Sequence, residues 1–396
     1  MKSVTIVGAS LAGHASARAL REHGFEGRIT IVGGEEHRPY DRPPLSKDFL
    51  AGTTGADELW LEAEDENLEA DWLLGARAIR LDPTDHRVTL ANGTTVASDA
   101  VVIATGSIAK TFELMPKGVH TLRTLDDAIA LKSELLPGAR LVVVGSGFIG
   151  LEVASTARDL GLDVVVLGSS VKPLAGIFGD EVGTAVQRLQ ERHGIIIRNN
   201  TVVAAVVGVE QVTGVRLSTG EVVPADVVLL GIGSIPAVDW LHGSGLDLRG
   251  GLACDEVGAA APGVFGVGDC AAWFDPVRGT QHRIGHWSDS RDRSSFAMSA
   301  LLSPGDARRA LRPSYLWSDQ CGTRIQFSGR LLGGENVAIE AGGVETGDLL
   351  MVYRRADEPV AVVGINQTKL VAQWRKRLAS TSSAHPSDLS SQTLTA

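Results

Sequence analysis

The chain has 396 residues, 44% of them hydrophobic, and 46 glycines, enough to bury a large core and fill two or three domains of a globular α/β protein. Thirty-seven basic against 47 acidic residues leave a net charge of −10, which argues against general nucleic-acid binding and leaves room only for local basic patches. Met1-Lys2-Ser3 runs straight into an apolar strand and no apolar run is long enough to cross a bilayer, so a cytoplasmic protein without signal peptide or membrane contact is expected. Cys254, Cys270 and Cys321 form no C-x-x-C pair; they are too few to ligate an iron–sulfur cluster and read as small core residues. The ten histidines are scattered along the chain, and no metal site is expected.

Residues 4–13, VTIVGASLAG, combine an apolar run suited to a buried parallel strand with a turn that enters a helix near Gly13. The free N–H groups and positive dipole end of such a helix favour a pyrophosphate. Gly8 and Gly13 keep the outer glycines of the G-x-G-x-x-G fingerprint, but its middle position is Ser10. A second strand over residues 28–32 ends near Glu35, about where an acidic residue meets the ribose hydroxyls in a Rossmann unit. Pro39, Pro43 and Pro44 then forbid a regular helix, so a rigid loop presents Arg42 and Lys47 at a helix start. Residues 70–103 give short alternating strands with an Asn92-Gly93 hairpin turn and end in VVIATG, returning a strand toward the nucleotide with Thr105 and Gly106 at its end. The device recurs at residues 141–150, LVVVGSGFIG, now with all three glycines, Gly145, Gly147 and Gly150. One chain with two such units is built to hold two dinucleotides.

GASLAG, PYDRPPLSK, ATG at 104–106, LRTLDDA at 122–128, GSGFIGLEVA, GIGSIP at 231–236, GVGDCA at 266–271 and WSDQ at 317–320 follow one another in an order seen in one family. From about residue 3 to about 378 the chain resembles the FAD-dependent, NAD(P)H-using ferredoxin reductases of the glutathione-reductase superfamily. That group includes putidaredoxin reductase and the reductase components of aromatic-ring dioxygenases. The resemblance implies two Rossmann-like dinucleotide-binding domains plus an α+β C-terminal domain: an FAD domain at 1–109 and 235–312, an NAD(P) domain at 110–234 and a C-terminal reductase domain at 313–378. The sequence ASTSSAHPSDLSSQTLTA over 379–396 is too polar to order itself and reads as a flexible tail.

Carried over residue by residue, the resemblance places Gly8, Ser10, Leu11, Ala12 and Gly13 at the FAD pyrophosphate and Glu35 at its adenosine ribose. Ser10 must then point its hydroxyl away or donate to phosphate. Arg42, Lys47, Ala78, Thr105, Gly106, Arg123, Asp269 and Trp287 fall at further FAD contacts, Ala78 through its backbone and Asp269 at the ribityl chain. For Lys47 there is also a chemical reason, because a fixed cation near the reactive ring edge stabilises the reduced, anionic flavin. Its partner in the family is a glutamate of the NAD domain, a position that Glu152 fits. Lys47 and Glu152 are therefore the expected catalytic pair. Gly145, Gly147, Phe148, Ile149 and Gly150, with Gly231 and Gly233 of GIGSIP, belong to the nicotinamide-nucleotide side, where Glu152 also meets the nicotinamide amide.

The chain departs from the pattern in places. The strand over 163–167 is followed by Gly168-Ser169-Ser170 and Lys172 instead of the acid that selects NADH through its ribose hydroxyls, which leaves NADH or NADPH open as donor. Gly285 stands where the family commonly has an acid two residues before Trp287, and SDSRDRSSFAM lacks the usual glutamine-glycine pair.

The expected activity is electron transfer from NAD(P)H through FAD to a small iron–sulfur ferredoxin that serves a monooxygenase or dioxygenase, by a monomer or weak dimer. Two alternatives compete: a flavin-dependent oxidase or disulfide or peroxide reductase, which wants a redox cysteine where PPLSK offers Lys47, and an interaction flavoprotein of the apoptosis-inducing-factor kind. Ferredoxins are usually acidic, so docking on this acidic chain requires a local basic surface. Arg308-Arg309-Ala310-Leu311-Arg312 and residues 369–377, KLVAQWRKR on an expected helix, are the candidates, with Trp317 between that surface and the flavin.

Overall fold

The computed structural model describes residues 1–304 and 312–382. β1 (Ser3–Val7) leads into α1 (Leu11–Glu22), and β2 (Arg28–Val32), β3 (Ala70–Leu73) and β4 (Ala100–Ile103) follow. β1 is flanked in parallel by β2 and β4, and β2 by β3. The Val- and Ile-rich runs of β1, β2 and β4 are buried almost throughout, as strands covered on both faces must be. Ser107–Ala109 and Ser234–Pro236 pair antiparallel, so the chain leaves and re-enters this unit at one place.

Between those two strands lies the second unit. β5 (Arg140–Val144), α2 (Phe148–Asp159), β6 (Asp163–Leu167), α3 (Asp180–Arg192) and β7 (Val227–Leu230) build it. Its sheet is parallel and five-stranded, with Ile196–Arg198 and Val119–His120 at the edges. On return, β8 (Val264–Gly266) joins β4 in parallel in the first sheet, which has six strands. α4 (Trp287–Leu302) then packs along α1. The last unit is a five-stranded antiparallel sheet opened by β9 (Tyr315–Gln320) and β10 (Thr323–Gly329). α5 (Thr368–Ser382) covers it, burying Val371 and Leu378 against Leu350, Val352 and Val362. Two units on mainly parallel sheets, the first with the antiparallel edge strand Ala259–Ala261, and an antiparallel sheet with a helix make up the α/β architecture expected from the sequence. Among the described residues no helix is long and apolar enough to cross a membrane.

Boundaries differ in two places. α1 starts at Leu11, not Gly13, because Ser10 is extended and serves as its N-cap residue. α5 runs to Ser382, past residue 378, where a tail was expected; residues 383–396 lie outside the described residues, as does the Arg308-Arg309 cluster.

The two nucleotide turns share one steric design. Gly8 has φ +121°, and a Cβ there would lie 2.1 Å from the Ala104 carbonyl oxygen at the end of β4. Gly145 has φ +109°, and its Cβ would lie 2.2 Å from the Gly231 carbonyl oxygen beyond β7. In each unit the turn thus crosses the neighbouring strand end so closely that a methyl group has no space, and the backbone is left-handed as well. Gly8→Ala should cost on the order of 3 kcal/mol, read as a lower urea midpoint; an unchanged midpoint would show that the two strand ends part without penalty.

Candidate functional site

A cavity of about 900 Å³ opens where the start of α1 meets the C-terminal ends of β1, β2 and β4. Every residue expected at FAD lines it except Gly13, which lies behind the wall, where a Cβ would sit 1.8 Å from the Gly8 carbonyl oxygen. From the chain between Ala109 and Ser234, Leu122, Arg123 and Thr124 and, on α2, Phe148, Ile149 and Glu152 reach the cavity; Gly145, Gly147, Gly150, Gly231 and Gly233 remain in their own turn. The first turn of α1 holds no acidic residue and Ser10 makes no side-chain cap to it, so its N–H groups and dipole are left for an anion. Arg42 and Lys47 add cations to the same walls. This donor set and volume fit a dinucleotide such as FAD.

Ser10 fits in place of the middle glycine because its hydroxyl accepts from Arg42 Nε at 3.2 Å. Arg42 is itself held by Glu35, donating to Oε1 at 2.7 Å, and by the Arg123 carbonyl. The Tyr40 hydroxyl donates to the other Glu35 oxygen at 2.5 Å and accepts from the Leu125 N–H at 2.9 Å. Burial pushes the Tyr40 phenol well above its ordinary range, so it stays a donor. Sequence reasoning missed Tyr40, although it lies within the PYDRPP segment.

Loop and helix meet at Glu152, which is 5% exposed. Lys47 Nζ donates to its Oε2 at 2.8 Å and the Ser46 hydroxyl at 2.5 Å. The Ser318 hydroxyl, from β9, donates to Oε1 at 2.6 Å. Two further bonds lock α2 to its surroundings: the Thr156 hydroxyl donates to the Ser46 carbonyl at 2.9 Å, and the Cys321 N–H donates to the Ser155 hydroxyl at 2.7 Å. The structure brings the expected pair together and adds Ser46 and Ser318, which the motifs did not single out.

At the other end, Asp269 Oδ2 accepts from Arg123 Nη2 at 2.9 Å and from the Ser107 hydroxyl at 3.2 Å. A Cβ on Gly285 would lie 3.7 Å from Asp269 Oδ1, so an acid at this departure from the family would crowd a like charge. Trp287 Nε1 donates to Asp41 Oδ1 at 2.7 Å. Burial lifts the Asp41 carboxyl above its usual range, opposed by that N–H and by the charge of Lys47. Trp287 packs edge-on against Trp317, with ring centroids 5.8 Å apart, and Trp317 stacks on Tyr315 at 5.8 Å.

In the second unit, a Cβ on Gly168 would meet Ser146 Oγ at 2.6 Å and Ser146 Cβ at 3.1 Å. The serine of the G-S-G turn therefore occupies the space an acidic selector would enter. Lys172 sits 3.6 Å from the exposed Asp180, which shares its charge.

The family model described as pyridine nucleotide-disulphide oxidoreductase matches residues 2–293, and a reductase C-terminal model matches 315–394. The chain is 36% identical over 374 residues to the biphenyl dioxygenase system ferredoxin–NAD(+) reductase component of Paraburkholderia xenovorans (strain LB400), covering 93% of this chain and 90% of that one. It is 32% identical over 382 residues to a ferredoxin–NAD(P)(+) reductase of a Sphingomonas species, covering 94% and 92%. A chain in the crystal structure of the covalent putidaredoxin reductase–putidaredoxin complex superposes with a TM-score of 0.91 at 29% identity, covering 96% and 93%. The lack of an acid at position 168 predicts weak discrimination between NADH and NADPH. Gly168→Glu combined with Ser146→Gly should move the ratio of kcat/KM toward NADH by roughly tenfold or more, the worth of a charged hydrogen bond. A wild type that turns over no NADPH would mean that another group does the selecting.

Proposed function

The chain belongs to the pyridine nucleotide-disulphide oxidoreductase family, and we propose that within it this protein is an NAD(P)H:ferredoxin oxidoreductase. The observation that carries the reading is the Lys47–Glu152 pair: a loop of the first nucleotide unit and a helix of the second meet on the wall of one cavity. Bound in this cavity, FAD would supply the conversion between a two-electron hydride donor and single-electron release to an iron–sulfur protein. Gly8, Ser10 and the α1 N-terminus would hold its pyrophosphate, Glu35 its ribose and Asp269 its ribityl chain. Lys47 provides a fixed cation for the charge that arrives with the hydride, and Glu152 keeps that cation in place while facing the nicotinamide side. A disulfide-reducing reading finds no thiol: among the described residues no cysteine lines the cavity, Cys254 and Cys270 are buried, and burial pushes the Cys321 thiol up to about 11.

Electrons leave, in this reading, past the aromatic file. Trp287 and Trp317 line the cavity, Tyr315 stacks on Trp317, and the Arg375 guanidinium of α5 lies 3.8 Å from the Tyr315 ring centroid. Lys376 and Arg377 are exposed beside it, which makes this helix the cationic edge an acidic ferredoxin meets.

Purified protein should be yellow, with one FAD per chain, and should reduce cytochrome c with NADH or NADPH when a ferredoxin is added; a colourless protein or one indifferent to ferredoxin overturns the reading. Lys47→Ala should slow flavin reduction in stopped flow on the order of tenfold or more while FAD affinity changes less, and unchanged kinetics would remove its role. Charge reversal at Arg375 and Arg377 should raise the ferredoxin concentration for half-maximal rate by about tenfold at low salt and leave ferricyanide reduction intact. Loss in both assays would point to misfolding, and loss in neither would move the docking face elsewhere.

A further inference from the structure

β9 alternates as a half-buried strand does, with Leu316, Ser318 and Gln320 turned inward and buried. Two of these three inward residues are polar, opposite Ile325 and Thr323 of β10. Buried polar groups are costly unless they are hydrogen-bonded, and here the bonds form a directed chain. Gln190 Nε2, on α3, donates to Gln320 Oε1 at 2.9 Å; Gln320 Nε2 donates to the Ser318 hydroxyl at 2.8 Å; that hydroxyl donates to Glu152 Oε1 at 2.6 Å. Gln190, Gln320 and Ser318 are each no more than 1% exposed.

The direction follows from proton count. A serine hydroxyl has one proton, and because Gln320 fills its acceptor side, that proton is committed to Glu152. Each donor in the row points toward the carboxylate, so the bonds polarise one another in the same sense. Oε1 is thereby tied to the C-terminal sheet, and Oε2 is left to face Ser46 and Lys47.

Resting on the reading of Lys47 and Glu152 as the hydride-side pair, we propose that Ser318 and Gln320, backed by Gln190, are positioning residues that fix the Glu152 carboxylate against Lys47. The C-terminal unit, which contributes no nucleotide-binding turn, thus sets the geometry on the nicotinamide side. Without the Ser318 hydroxyl the carboxylate is free to rotate and Lys47 loses a fixed counter-charge.

The test uses the full-length, FAD-loaded protein. Ser318→Ala should lower the limiting rate of flavin reduction by NADH about tenfold, the scale of one charged hydrogen bond, with the dissociation constant for NADH changed less than about twofold. The flavin midpoint potential should become more positive, because the Lys47 charge is less well neutralised. Ser318→Thr, which keeps the hydroxyl, should restore rate and potential, and Gln320→Met should move both in the same direction as Ser318→Ala by a smaller factor, about threefold in rate. A Ser318→Ala protein with wild-type rate and potential overturns the proposal. So does a rate loss that follows lost FAD or a lower melting temperature and is not restored by threonine. Wild-type protein that binds no FAD or fails to reduce ferricyanide with NADH sinks the functional reading itself, and is seen before any variant is compared.

Discussion

One buried carboxylate decides how the units of this protein meet. Glu152 is nearly inaccessible, and a lone charge in such a place would be severely destabilising. Its partners come from two stretches of chain far from it and from each other in sequence, Ser46 and Lys47 of the first unit and Ser318 of the C-terminal sheet, while Glu152 itself stands on α2 of the second unit. A buried ion pair is weak evidence of net stabilisation, because desolvation offsets much of the attraction. What it does enforce is geometry, since removing any one partner leaves charge exposed to an apolar interior. The neighbouring Thr156 and Ser155 bonds repeat the same three-way contact with uncharged groups, so α2 is pinned on two sides along its length.

The two nucleotide turns show how little a fingerprint needs to be literal. Their first glycines answer to a backbone crossing, and their last to the carbonyl oxygen of the first, which an added Cβ would meet at 1.8 Å at Gly13 and 2.6 Å at Gly150. The middle position answers to neither. A Cβ on Gly147 would meet nothing within 4 Å, and Ser10 stands at the equivalent place with its hydroxyl held by Arg42. The glycine that is missing is the one the protein's own packing does not require.

This explains what was legible in the sequence. Strands of consecutive Val and Ile, turns with obligatory glycines and the Pro-rich loop are local signals, and they located the two nucleotide-binding units and the loop that carries Lys47, whereas the pairing of Lys47 with Glu152 was implied by the family resemblance. Glu152 itself read as well as an ordinary acid near a helix start, and only its contacts from elsewhere in the chain distinguish it. Ser46, Ser318, Gln320 and Gln190 were not legible, because each is a common residue whose meaning lies in a partner more than a hundred positions away. A faint signal did exist. In YLWSDQ the inward parity of a half-buried strand passes through Ser318 and Gln320, where Leu316 sets an apolar expectation. The missing acid at Gly168 was visible at once, but the reason that its space is taken, the Ser146 side chain, needed three dimensions.

β9 is where the two sides of the cavity are joined. Successive side chains of a strand point to opposite faces, so Ser318 faces Glu152 while its neighbour Trp317 packs between Trp287 and Tyr315. A single short strand therefore contributes to the wall bounded by Phe148, Ile149 and Glu152 and also to the aromatic file that ends beneath Arg375. For a protein that must admit a two-electron donor on one side and meet a one-electron acceptor on the other, this arrangement keeps the two encounters apart yet mechanically linked. Charge divides along the same line. Glu152 and Lys47 neutralise one another inside, whereas α5 presents its cations outside, against a chain whose net charge is −10. In the proposed reading, an acidic partner is attracted where the aromatic file reaches α5, and electrostatics select the face at which electrons leave.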